Sequence, residues 1–128
     1  VAEYDIGILP HIWMENSPLV LLEHLHAGKM VITSNLGGPP AWIVQRDGER
    51  NGLLFPSGDP EKLAGCISAL VRGDVAIPSP RTIHELTASL KTDPRRARGR
   101  RSPRAGVIAA DAAACAAPCS RPGAHARA

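Results

Sequence analysis

The sequence has little cysteine and no long run of apolar residues, and each shortage excludes a class of protein. Among its three cysteines, Cys115 and Cys119 lack the second ligand pair that a zinc site needs. No apolar stretch approaches the length of a membrane span, and no signal peptide opens the chain. We therefore expect no metal site, no cofactor and no transmembrane segment, and we predict a cytoplasmic location.

Charge is divided unevenly between two parts of the chain. Residues 1–92 carry seven Lys and Arg against ten acidic residues, a net charge of −3, whereas residues 93–128 carry eight Arg against two acids, a net charge of +6. The second part has no aromatic residue and is mostly Ala, Pro, Gly and Ser. Such a segment cannot bury enough surface to offset the entropy of ordering its backbone. We therefore predict a domain over residues 1–92 and a disordered tail over residues 93–128.

Two interpretations of the tail remain open. A basic arm that binds nucleic acid through residues 95–104 is one, although these arginines are not interleaved with aromatic residues. The other is that the natural reading frame is lost near residue 92, because GC-rich codons read out of frame give Ala, Arg, Pro and Gly.

In residues 1–92, apolar runs of strand length alternate with segments of helix length. This order predicts an α/β fold with a parallel sheet covered by helices, about half of a Rossmann-like domain. The predicted strands are residues 5–10, 30–34 and 51–56.

Capping residues set the predicted helix boundaries. Ser17 is the expected N-cap of the first helix, Pro18 its first residue, and Gly28 its exit. A short helix is predicted over residues 41–46. In the last predicted helix Asp59 is the cap and Pro60 the first residue. The apolar positions of that helix are Leu63, Ile67, Leu70 and Val71, and Cys66 is predicted to be buried.

Two glutamates, Glu15 and Glu23, lie eight positions apart around the start of the first helix. A helix N-terminus attracts an anion such as phosphate, because its first N–H groups are unpaired. The available N–H groups here belong to Asn16, Ser17, Leu19 and Val20. Glu23 could accept hydrogen bonds from a ribose diol next to such a phosphate, and Glu15 would face whatever follows the phosphate.

Each of these residues also has a possible structural role that needs no ligand. Glu15 could only complement the helix dipole, and Glu23 could be a solvated surface residue. A carboxylate pair also occurs in glycosidases, but nothing in the sequence supplies a sugar cleft between them. Gly37 and Gly38 follow a strand end, where they fit a tight turn as well as a ligand site.

The histidines offer no metal site. His24 and His26 are two positions apart, so on a helix they point in different directions and cannot share a metal ion. For His11, at a strand end, a surface or packing role competes with a role in lining a ligand cleft.

In sequence order these segments resemble the glycosyl transferases group 1 family, the retaining glycosyltransferases with the GT-B fold. The resemblance covers residues 3–72, in the second half of the C-terminal, donor-binding domain. It is carried by the E-x7-E motif from Glu15 to Glu23, the strand entry "AGKMVI" (27–32), Gly37-Gly38, "NGLLF" (51–55) and "GDPEKLA" (58–64).

The resemblance implies a nucleotide-diphospho-sugar donor, an unknown acceptor, and transfer with retention at the anomeric carbon without a required metal. Glu15 would be the catalytic residue and would contact the sugar, the following amides would contact sugar and phosphate, and Glu23 would contact the ribose. One departure is Ala41, which stands where the family often has Glu after Gly-Gly-x-x.

The same resemblance implies that the acceptor-binding domain and the phosphate-binding basic residues lie outside this sequence, so we expect the chain alone to be inactive. The alternative from another class is a non-catalytic α/β interaction fragment whose basic tail binds nucleic acid.

Overall fold

The computed structural model describes residues 3–90. The predicted disordered tail at 93–128, together with the two tail cysteines, lies outside these residues. Within them the elements are β1 (Ile6–Leu9), α1 (Leu19–His26), β2 (Met30–Ser34), a 3₁₀-helix (Pro39–Trp42), β3 (Gln45–Arg46), β4 (Glu49–Arg50), β5 (Gly52–Phe55), α2 (Pro60–Val71) and α3 (Pro80–Ser89).

The central sheet contains three parallel strands in the order β1-β2-β5. Ile6 pairs with Met30, and Val31 pairs with Gly52. All five residues of β2 are buried, as expected for the middle strand of a parallel sheet that is covered on both faces. The predicted α/β class and the three-stranded, partly Rossmann-like sheet are therefore confirmed.

The core lies between this sheet and the helices. Leu21 and Leu25 of α1 are completely buried, as are Cys66 and Ala69 of α2. Ile83 of α3 joins the same cluster. Helical spacing identified part of this face correctly, but Val71, the last residue of α2, is 82% exposed.

The predicted capping of α1 by Ser17 is wrong. Pro18 is the N-cap, with an extended ψ of 120°, and no side chain caps the helix. Because the Pro18 backbone is itself extended, the helix begins one residue later than predicted, and the Pro18 carbonyl accepts the first hydrogen bonds, from the N–H groups of Leu21 and Leu22. The exit at Gly28 is confirmed, with a φ of +69°.

The predicted short helix over residues 41–46 is also wrong. A 3₁₀-helix ends at Trp42, and β3 and β4 form an antiparallel hairpin in which Arg46 pairs with Glu49. The connection is Asp47-Gly48, and both residues have positive φ, which is the geometry that Asp-Gly favours in two-residue hairpin turns. That dipeptide was the local signal for a hairpin.

The starts of α2 and α3 follow one pattern. Asp59 accepts a hydrogen bond from the Lys62 N–H, which confirms the predicted cap, and Pro60 begins α2. Ser79 caps α3 in the same way and Pro80 begins it. We did not predict α3, although Ser79-Pro80 carries the same start signal as Asp59-Pro60.

Candidate functional site

The segment between β1 and α1, residues 10–18, is called here the site loop. It begins at the carboxyl end of β1, where open α/β sheets place ligands, and it carries Glu15. Glu15 is half-buried, whereas Asn16 and Ser17 are exposed. The structure therefore places Glu15 at the edge of the sheet where ligands bind in such folds.

A second segment, residues 35–38, lies against the site loop and is called the glycine turn. The Gly38 N–H donates to the Glu15 carbonyl over 2.6 Å. A Cβ at Gly38 would stand 1.5 Å from the Asn16 carbonyl oxygen, and one at Gly37, whose φ is +72°, would stand 2.4 Å from the Glu15 carbonyl oxygen. Glycine is needed at both positions because the two backbones are in contact here. The Gly38 N–H already bonds to the Glu15 carbonyl, so it is not open to a ligand.

A cleft of about 280 Å³ opens beside the site loop. Its lining residues are Leu9, Pro10, His11, Trp13, Glu15, Pro18 and Val20. Glu15 supplies the carboxylate of this mainly apolar wall, and its Oε1 accepts a hydrogen bond of 3.1 Å from the indole N–H of Trp13. The indole therefore holds a carboxylate at the rim of an apolar cleft.

The start of α1 borders the same cleft through Pro18 and Val20. Because no side chain caps this helix and its internal hydrogen bonds begin with the Leu21 N–H, the N–H groups of Leu19 and Val20 belong to its open first turn. Leu19 is 73% exposed and Val20 47% exposed. An anion at this end of the helix would accept hydrogen bonds from these N–H groups and would be attracted by the positive end of the helix dipole.

Glu23 lies on the following turn of α1 and is exposed. Its neighbour His24 is engaged elsewhere: His24 Nε2 is 2.9 Å from the Tyr4 hydroxyl, and Nδ1 is 2.6 Å from the Val20 carbonyl. The predicted site residues other than Glu23 thus fall into three groups, which are the site loop, the open start of α1 and the glycine turn.

His11 is the residue whose position sequence reasoning could not decide. It lines the cleft, as one of the alternatives held, but it is only 8% exposed and also contacts the ends of β1 and β2. Ser34, at the end of β2, was missed altogether. No local pattern shows that these two residues meet, because their contact joins segments more than 20 positions apart.

Within residues 3–90, no group of three or more His, Cys, Asp or Glu side chains could hold a metal ion. The same part of the chain contains no helix that is both long and apolar enough to cross a membrane.

Comparison with known proteins gives the chain its relatives. The family model described as "Glycosyl transferases group 1" matches residues 1–73. An exopolysaccharide phosphotransferase of Streptomyces coelicolor is 43% identical over 76 residues, which are 59% of this chain and 8% of that protein. A phosphatidyl-myo-inositol mannosyltransferase of Mycobacterium leprae is 41% identical over 71 residues, which are 56% of this chain and 18% of that protein. No solved structure gives a significant match.

Proposed function

Because the chain belongs to the glycosyl transferases group 1 family, we propose that it forms the donor-binding part of an enzyme that transfers a sugar from a nucleotide-diphospho-sugar to an acceptor. Transfer proceeds with retention at the anomeric carbon. The observation that carries this proposal is the position of Glu15, in the wall of a cleft that adjoins the uncapped start of α1.

The start of α1 binds the diphosphate in this proposal. The Leu19 and Val20 N–H groups face the phosphate oxygens, and the Asn16 and Ser17 amides extend the same row of donors toward the sugar. These donors also stabilise the charge that develops on the leaving diphosphate as its bond to the sugar breaks. No resident metal is required for this step.

Glu23 binds the ribose. It lies four residues after Leu19, about 6 Å further along the helix axis, and a side chain on a helix leans back toward the N-terminus. A carboxylate in this place can accept two hydrogen bonds from the vicinal ribose hydroxyls. Its exposure leaves it accessible to a nucleotide bound over the start of the helix.

Glu15 contacts the transferred sugar and is the catalytic residue of the proposal. Its carboxylate is oriented by the Trp13 indole, and the apolar cleft beside it can cover one face of the sugar ring. In the glycine turn, Gly37 provides a further contact to the donor. Gly38 positions Glu15, since its amide bonds to the Glu15 carbonyl and its missing side chain lets the two backbones meet.

The acceptor site lies elsewhere in this proposal. The chain spans 8% and 18% of the length of the two relatives, and no second cleft-forming domain faces Glu15 in residues 3–90. We therefore expect the isolated 128-residue chain to bind donor weakly and to transfer no sugar. Turnover of a nucleotide sugar by the purified chain alone would contradict this expectation.

The test uses a chimera in which residues 1–73 replace the matching segment of the Mycobacterium leprae mannosyltransferase. In the chimera Glu23→Gln should weaken binding of nucleoside diphosphate and nucleotide sugar alike, by about 1.5 to 3 kcal/mol, because both ligands contain ribose. Glu15→Gln should leave nucleoside diphosphate binding unchanged and lower the turnover number.

Glu61→Gln is the matched control, because Glu61 is an exposed acid in the first turn of α2. Calorimetry with UDP, GDP and ADP and with their sugar derivatives, set beside steady-state rates, separates the outcomes. Equal weakening of nucleoside diphosphate binding by Glu15→Gln and Glu23→Gln would refute the division of roles. If neither substitution changes ligand binding or turnover, the two glutamates have no role in the donor site.

A further inference from the structure

His11 lies four residues before Glu15 and is enclosed by the carboxyl ends of all three strands of the central sheet. Its Nδ1 is 3.2 Å from the Leu9 carbonyl at the end of β1 and 3.1 Å from the Ser34 hydroxyl at the end of β2. Its own carbonyl accepts a hydrogen bond of 3.1 Å from the Ser57 hydroxyl, which follows β5. Residue 11 therefore joins three strand ends that are distant in sequence.

The other ring nitrogen reaches the glycine turn. His11 Nε2 is 3.1 Å from the Leu36 carbonyl oxygen. A carbonyl oxygen can only accept, so Nε2 donates to Leu36 only when it carries a proton. Nδ1 also faces a carbonyl oxygen, that of Leu9, and the Ser34 hydroxyl, 3.1 Å from Nδ1, donates to the His11 carbonyl. Both nitrogens have polar partners, which fixes the plane of the imidazole.

Two hydrogen bonds consequently connect the site loop to the glycine turn. One joins the His11 side chain to Leu36, and the other joins the Glu15 carbonyl to the Gly38 N–H over 2.6 Å. They lie four residues apart on the site loop and two apart on the glycine turn. Together they bracket the short stretch of backbone that carries Glu15.

The ring also borders the group that holds the Glu15 carboxylate. His11 and Trp13 meet edge to face, with ring centroids 6.5 Å apart, and the Trp13 indole donates to Glu15. Trp13 is 60% exposed, so the buried imidazole offers it a fixed neighbour on its inner side. His11 thus contacts the residue that holds the Glu15 carboxylate, and it also bonds to the glycine turn that holds the Glu15 backbone.

We propose that His11 is a positioning residue, which holds the site loop against the glycine turn through its Nε2–H bond to Leu36 and so sets the place of Glu15. The importance of this placement for sugar transfer rests on the proposed function. The hydrogen bond and its effect on the two segments can be measured without any sugar nucleotide, so a failure here and a failure of the proposed function are distinguishable.

The test compares two substitutions in the full 128-residue chain. In His11→Gln the side-chain amide nitrogen takes the position of Nε2 and can still donate to Leu36, whereas in His11→Asn it takes the position of Nδ1 and cannot reach that carbonyl. Hydrogen exchange of the Gly38 amide reports whether the two segments stay together. The Val31 amide, which bonds to the Asn51 carbonyl in the core, reports global stability in the same sample.

We expect His11→Asn to accelerate Gly38 exchange about three- to tenfold, the range expected for one lost hydrogen bond of average strength, relative to Val31 exchange. His11→Gln should return Gly38 exchange to within about twofold of the unsubstituted chain on the same scale. A residue that only fills space would change the two amides in parallel in both variants. Equal behaviour of Gln and Asn, or a Gly38 amide that responds to neither, would overturn the proposal.

A second measurement needs no substitution and therefore decides the question if both variants unfold. Nitrogen NMR of the His11 imidazole at alkaline pH should show the neutral ring protonated at Nε2, with a slowly exchanging Nε2–H. A ring protonated at Nδ1 could not donate to Leu36 and would rule the proposal out.

Discussion

The first turn of α2 is capped by a side chain, whereas the first turn of α1 is not. Asp59 closes the first turn of α2 with a side-chain hydrogen bond of 3.0 Å to the Lys62 N–H, whereas α1 begins at Pro18 with no side-chain cap. Exposed apolar residues also cluster around the start of α1: Ile12, Trp13, Met14, Leu19 and Val20 are all at least 47% exposed. The first turn of α2 therefore has a hydrogen-bond acceptor in its own sequence, whereas the first turn of α1 has none from a side chain and lies beside the cleft.

This difference indicates that the start of α1 is less stable than the start of α2. A missing cap costs a helix about 1 kcal/mol, and apolar side chains that stay largely exposed contribute less to stability than buried ones. Real proteins depart from such local rules mostly at functional sites. The comparison therefore supports the start of α1, and not that of α2 or α3, as the place where an outside ligand supplies the missing hydrogen-bond acceptors.

The largest expected effect comes from Gly38→Ala, which should separate the site loop from the glycine turn. Its φ is ordinary, so the cost arises from the clash of the new Cβ with the Asn16 carbonyl. We expect a loss of about 3 kcal/mol in the free energy of unfolding, typical of severe overpacking. Urea denaturation would measure it.

Gly58→Ala is the matched control for that substitution. A Cβ at Gly58 meets no heavy atom within 4 Å, although its φ is +77°, so only the left-handed backbone strain of about 1 to 2 kcal/mol applies. If both variants lose the same stability, backbone contact between the two segments is not what Gly38 provides.

The sequence predicted the central sheet well because each strand is a short, strongly apolar run. Residues 30–34 were assigned as a strand and β2 has those bounds. Asp59-Pro60 was interpreted correctly because a cap acts within one helical turn. Ser17-Pro18 misled us, because the same local signal is present there but the helix begins one residue later, at Leu19.

The candidate site was predictable only in part. Spacing and resemblance pointed to Glu15, Glu23 and the two glycines, but not to the contact between the glycine turn and the site loop, which joins residues more than 20 positions apart. His11 and Ser34 meet across a similar separation. Such pairs become neighbours only when the parallel strands assemble, so no window of sequence contains them.

A smaller effect should follow from removing the side chains at the two helix starts. Asp59→Ala should cost about 1 kcal/mol of stability, because the Lys62 N–H loses its partner. Ser17→Ala should change stability by less than about 0.5 kcal/mol, because Ser17 caps nothing. Chemical denaturation of both variants measures the difference, and an equal loss would restore Ser17 as a cap.

The smallest expected effect on stability is that of Trp13→Phe. Trp13 is largely exposed, so the free energy of unfolding should change by less than about 0.5 kcal/mol. The Glu15 carboxylate loses its indole donor, however, and the carbon NMR signal of that carboxylate should shift. The Glu23 carboxylate signal serves as the internal control, and a Glu15 signal that stays in place would show that the indole does not orient it.

The most direct test of the account compares the two helix starts in one titration. The isotope-labelled chain is titrated with a nucleoside diphosphate, and the backbone amide signals are followed by NMR. We predict that the Leu19 and Val20 amides shift with a common saturation curve while the Glu61 and Lys62 amides at the start of α2 do not, because only α1 has an open first turn. Equal shifts at both helix starts, or no shift at Leu19 and Val20 at saturating ligand, would contradict the claim that α1 holds the donor diphosphate.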